Sequence, residues 1–122
     1  MGNVANFSVV RDAWTHEALS NGIDFDVPST IDLDKRSVLS FMLNVYVEGD
    51  MSINLRINGT KVWNWTFENY KRWGLYQEVV AKGVVRPGTN TISFDADLTS
   101  GGSFDFGSVE FSDIVVWWRA DI

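Results

Sequence analysis

Three kinds of residue in this 122-residue chain carry the means for chemistry: a single histidine, closely spaced carboxylates and a dense aromatic window. His16 stands beside Glu17, with Ser20 close by. Nucleophilic hydrolysis needs a hydroxyl, an imidazole and a carboxylate that converge, and residues one apart on a chain do not share a face. No glycine elbow presents a serine, so His16 reads as an ordinary polar residue and the chain as non-catalytic. Asp24 with Asp26, Asp32 with Asp34 and Asp95 with Asp97 are i, i+2 pairs, each on one side of an extended segment. A glycosidase places two carboxyls across a cleft at roughly 5–9.5 Å. Charges this close in sequence read more simply as solvated edge groups that keep strands from pairing with other chains.

The aromatic inventory is the most informative. Of six Trp, three (Trp63, Trp65, Trp73) lie with Phe67, Tyr70 and Tyr76 in a 14-residue window. A sugar ring offers apolar C–H faces to a flat aromatic, and its hydroxyls need amide, carboxylate or guanidinium partners. Asn64, Glu68, Asn69, Lys71, Arg72 and Gln77 supply them in the same window. The same rings also fill sandwich cores. Trp117 and Trp118 are adjacent and so point to opposite faces of a strand, one into the core and the other exposed or covered by a partner subunit.

The elements that must position these residues follow from period-two alternation, the mark of strands with one buried face. Between Val38 and Val47, the residues Leu39, Phe41, Leu43, Val45 and Val47 form one row. Ile53, Leu55 and Ile57 form another that stops at Asn58-Gly59, a pair suited to a two-residue type I′ turn. Lys61 to Phe67 pairs back. Leu75 to Val80, Thr91 to Ala96 and Val109 to Arg119 are further strands, the last bulged near Asp113. With Phe7 to Val10 and Ile23 to Val27, about eight strands result, as in a β-sandwich or barrel. Arg86-Pro87-Gly88-Thr89-Asn90 is a turn, and Asp12 to Leu19 has room for a helical turn or two. The expected fold is all-β: one antiparallel sandwich over residues 1–122.

Hairpin register sets the fate of the indoles. A two-residue loop pairs Leu55 with Val62 and Asn54 with Trp63, which turns Trp63 and Trp65 toward Ser52, Asn54 and Arg56. A three-residue loop pairs Leu55 with Trp63 and Ile53 with Trp65, which turns both into the apolar row. One residue of slip exchanges the faces, and the sequence leaves both open.

Composition excludes several classes. Without cysteine there is no thiol catalysis, zinc cluster or disulfide framework, and the redox compartment stays open. A net charge of −6 argues against a nucleic-acid partner. No apolar run approaches the roughly 20 residues of a membrane span. The start Met1-Gly2-Asn3-Val4 lacks the plan of a signal peptide, and Asn6 stands where N-myristoylation wants Ser or Thr.

The segments Ile53-Asn54-Leu55-Arg56-Ile57-Asn58-Gly59 and Val85-Arg86-Pro87-Gly88-Thr89-Asn90-Thr91-Ile92 resemble turns of jelly-roll sandwiches related to galactose-binding-like modules. The resemblance covers about a quarter of the chain. It implies a jelly-roll fold of the carbohydrate-binding type and a structural calcium, for which Asp95, Asp97 and Asp105 around the Gly101-Gly102 loop supply oxygens. The leading expectation is a lectin-like module with Trp63, Trp65, Tyr70 and Trp73 as stacking platforms. Asn54, Arg56, Asn64, Glu68 and Asn69 would be its polar contacts. The alternative is a structural or assembly subunit of a virion, appendage or homo-oligomeric shell, whose aromatics lie at subunit interfaces.

Overall fold

The computed structural model describes residues 3–46, 50–68, 71–98 and 109–121. Eight strands and one short helix follow in the order β1 (Asn3–Arg11), α1 (Glu17–Asn21), β2 (Ile23–Val27), β3 (Ser37–Tyr46), β4 (Asp50–Ile57), β5 (Thr60–Glu68), β6 (Lys71–Val80), β7 (Gly88–Leu98) and β8 (Val109–Asp121). They form two four-stranded sheets, β1-β8-β3-β6 (sheet A) and β2-β7-β4-β5 (sheet B), and all paired neighbours run antiparallel. Every connection except the β4–β5 hairpin crosses from one sheet to the other, which is the jelly-roll arrangement. The sandwich expected from alternation is therefore present. The helix begins later than the expected Asp12 start: of the apolar residues Trp14, Ala18 and Leu19 in that segment, only Leu19 is fully buried, and Trp14 is exposed. None of the helices among the described residues is long and apolar enough to cross a membrane.

The core lies between the sheets. Leu39, Phe41, Leu43 and Val45 of β3 face Met51, Ile53, Leu55 and Ile57 of β4 with almost no exposure. Each such side chain contributes roughly 1.5–3 kcal/mol by leaving water. On β8 the inward row changes parity, from Val109 and Phe111 to Ile114, Val116, Trp118 and Ala120. The cause is the expected bulge. Asp113 adopts φ 48°, and the β3–β8 register shifts between Ser40 and Met42, so one extra residue on β8 re-aims the rest of the strand. Trp118 is thereby buried and Trp117 turned outward, as adjacency required.

The two turns singled out in the sequence are bonded to each other. Asn58 and Gly59 both have positive φ, 52° and 82°, the type I′ requirement. Asn58 Nδ2 donates to Asn90 Oδ1 at 2.8 Å and to the Val84 carbonyl at 2.9 Å, while the Thr91 amide donates to Asn58 Oδ1 at 3.0 Å. Asn90 is fully buried, and its Nδ2 closes the Pro-Gly turn on the carbonyls of Arg86 and Gly88. A buried amide whose donors and acceptors are all used fixes loop geometry at one end of the sandwich.

Candidate functional site

The β4–β5 hairpin combines features of both expected registers. Ile57 pairs with Thr60 and Arg56 with Lys61, the two-residue turn, but a register shift follows between Leu55 and Arg56. Val62 is the extra residue. Beyond it Leu55 pairs with Trp63 and Ile53 with Trp65, so both indoles fall on the core side of the strand. Their surroundings then diverge. Trp63 is only 7 % exposed and packs on Phe41 (ring centroids 5.0 Å, edge-on) and Tyr76 (5.5 Å). Trp63 is therefore a core residue rather than the open platform expected, because the bulge turned it under sheet A. Trp65, two residues on, is 59 % exposed.

The difference lies in the edge. β5 and β6 are the outer strands of their sheets, and their core-facing sides meet at an open mouth of the sandwich. The inward row of β6 reads Gly74, Tyr76, Glu78, by pairing with Leu43, Phe41 and Leu39. Tyr76 covers Trp63, whereas Gly74 brings no side chain to this edge. A cleft of about 320 Å³ opens here, lined by Lys61, Val62, Trp63, Asn64, Trp65 and Glu78. It offers an exposed aromatic, an ammonium, an amide and a carboxylate. Lys61 and Glu78 were not among the expected contacts, since the approach of two edge strands from different sheets leaves no mark in either strand's own alternation.

The other expected polar contacts lie elsewhere. Asn54 and Arg56 point to the outer face of sheet B, where Asn54 Nδ2 donates to Asp95 Oδ1 at 2.8 Å and Arg56 Nε to Asp95 Oδ2 at 3.0 Å. They are on the opposite face from Trp65 and are engaged with each other's partner. Asn64 pairs with Asn54 across the strands yet also lines the mouth. Desolvation pushes the Asp95 carboxyl up, but the hydrogen bonds from Asn54 and Arg56, with the charges of Arg56 and Lys61, outweigh it and hold it below its ordinary value. A carboxylate already bound to a guanidinium is a poor cation ligand. Among the described residues no three His, Cys, Asp or Glu side chains gather at metal-binding distance. Of the calcium donors that the resemblance implies, Asp95 is held by Arg56 and Asn54, Asp97 is exposed, and Asp105 lies outside the described residues.

Asn69 and Tyr70 also lie outside them, as do the side chains of Glu68 and Trp73. The remaining carboxylate pairs are structural. Asp24 accepts from the Thr91 hydroxyl at 2.7 Å and Asp26 from the Thr89 hydroxyl at 2.9 Å, across the β2–β7 pairing. Asp32 Oδ1 accepts the Asp34 amide at 3.0 Å in a local turn. His16 sits at the start of α1, and the nearby Ser20 hydroxyl donates to the Glu17 carbonyl.

No protein-family model and no curated protein matches the sequence. Solved structures match the fold. A chain of the dimeric latent PorU from Porphyromonas gingivalis aligns over 98 % of this chain at 10 % identity and TM-score 0.58, although the match spans 13 % of that chain. The EclA C-terminal domain, a sugar-binding protein, aligns over 95 % of this chain and 79 % of its own at 7 % identity and TM-score 0.55. The insecticidal delta-endotoxin Cry8Ea1 from Bacillus thuringiensis aligns over 93 % of this chain and 19 % of its own, at 15 % identity and TM-score 0.50. At such identities the likeness is one of fold.

Proposed function

We propose that this chain is a non-catalytic, sugar-binding β-sandwich that takes a neutral saccharide ring on Trp65 at the β5–β6 mouth. The observation that carries the reading is the contrast on one strand. Trp63 is buried, but Trp65 keeps 59 % of its surface open in a cleft lined by Lys61, Asn64 and Glu78. An apolar platform ringed by a few polar groups is the usual plan of a small-molecule site. The fold likeness to the sugar-binding EclA domain supports the class of ligand by analogy alone. In a tryptophan-fluorescence titration against a panel of neutral oligosaccharides, Trp65→Ala should abolish the response that one sugar class produces. The melting temperature should stay within a few degrees, because an exposed edge ring adds little to the core. Retained binding in a folded Trp65→Ala variant would overturn the site.

A second reading, an assembly subunit, is favoured by a different surface. Phe7, Val9, Leu75, Val79 and Trp117 are all exposed on the outer face of sheet A. An apolar expanse of this kind marks interaction surfaces in folded proteins. Sedimentation of the purified chain decides the point: an oligomer dispersed by Leu75→Arg supports this reading, and a monomer at all concentrations removes it.

A further inference from the structure

At one end of that outer face, where β3 begins and β6 and β8 finish, the chain gathers positive charge. A cleft of about 600 Å³ is lined by Lys35, Arg36, Lys82 and Arg119, with Asp34 as the one carboxylate among its lining residues. An adjoining cleft of about 280 Å³ shares Arg36 and Arg119 and adds Gln77 and Trp117. Arg36 and Arg119 both line this smaller cleft, although the neighbour of Arg119 within the sheet is Asp32, whose amide donates to the Arg119 carbonyl at 2.8 Å. Like charges gathered in one cleft repel one another and favour an anion between them. The ion pair of Arg56 with Asp95 lies on the other sheet. Four of the chain's ten Lys and Arg therefore meet in one concavity of a molecule whose net charge is −6.

Two guanidinium forks lining one cleft match the paired oxygens of a carboxylate or sulfate, which such forks bind bidentately. The neighbouring ring supplies the second half of the recognition. Trp117 is 41 % exposed, and its orientation is set by an Nε1 hydrogen bond to Ser40 Oγ at 3.3 Å and by Phe7, whose ring lies 5.0 Å away. A held indole beside an anion cradle suits a molecule that is acidic at one edge and has an apolar C–H face. A free inorganic anion would have no use for the ring.

We propose that this end of sheet A is a second binding site, for an anionic saccharide whose carboxylate or sulfate lies between Arg36 and Arg119 while its ring lies on Trp117. It shares no residue with the β5–β6 mouth and does not rest on the neutral-sugar reading. The test is calorimetric titration with a galacturonate trimer, a sulfated galactose disaccharide, a neutral galactose trimer and inorganic sulfate. One of the two acidic saccharides should bind, weaken steeply as salt is raised, and lose at least tenfold in affinity in Arg36→Gln and in Arg119→Gln. Both variants should melt within a few degrees of the parent temperature, because both arginines are exposed. Trp65→Ala should leave this binding unchanged, which separates failure of one site from failure of the other. If either arginine variant fails to fold, Lys82→Gln carries the same test from an exposed position. Equal binding of the neutral trimer with no loss in the variants would overturn the proposal, and so would sulfate binding as tightly as both acidic saccharides.

Discussion

The two sheets share one core but turn different surfaces outward. Sheet B is finished for water: Ser52 meets Thr66 at 3.0 Å, Asn54 and Arg56 share Asp95, and Thr89 and Thr91 bond Asp26 and Asp24. Its outer side chains satisfy one another across three strand pairings. Sheet A carries Phe7, Val9, Leu75, Val79 and Trp117 in the equivalent outward positions, with cations crowded at one end. A polar ladder that closes on itself has few groups left for a ligand. The other face keeps open rings and gathers cations in one cleft. Asn54 and Arg56 are thus spent on the ladder of sheet B, whereas Trp117 keeps 41 % of its surface open.

If the sheets differ only outside, truncating their inner rows should cost the same. Phe41→Ala in sheet A and Ile53→Ala in sheet B both empty fully buried positions, and each should lower the unfolding free energy by about 2–5 kcal/mol in urea titration. A much smaller loss at Ile53 would mean that sheet B is held by its outer ladder instead. The outer faces themselves should separate by a smaller margin. Phe7→Ala removes a ring packed on Trp117 and should cost roughly 1 kcal/mol, whereas Thr66→Ala, which removes one exposed hydroxyl pair, should stay within about 0.5 kcal/mol. Equal losses at the two positions would erase the distinction drawn between the faces.

Much of this contrast was legible in the residues, and the part that was not has a physical cause. Alternation located all eight strands, because a half-buried strand must repeat every second residue. Asn58-Gly59 announced its turn for the same local reason. Nothing local told that Val62 would bulge, and this single insertion decided which way Trp63 faces. The split between Trp63 and Trp65 depends on whether Tyr76 or Gly74 of another sheet stands opposite, which is tertiary information. Arg36 and Arg119 are 83 positions apart and line one cleft only in the folded chain, so no spacing rule points to them. The carboxylate pairs read as solvated edge charges, and nothing in their own spacing told that the strand beside Asp95 would supply it with a guanidinium.

That guanidinium gives the smallest of the expected effects. Asp95 is held below its ordinary pKa in the folded chain, so its interactions with Arg56 and Asn54 are fully present above the unfolded value, roughly 3.9, and are lost as the pH falls through the folded one. The pair is half-exposed, at 37 % and 51 %, so solvent screening limits its worth to well under about 1 kcal/mol. Asp95→Asn should therefore be slightly less stable than the parent at neutral pH, with a difference in urea midpoint that is constant down to about pH 5 and closes toward about pH 2. A difference that persisted in acid would mean that the amide disturbs the Asn54 contact by shape rather than by charge. The ladder of sheet B would then owe its closure to hydrogen-bond geometry, and its contrast with the cationic end of sheet A would be one of packing rather than of charge.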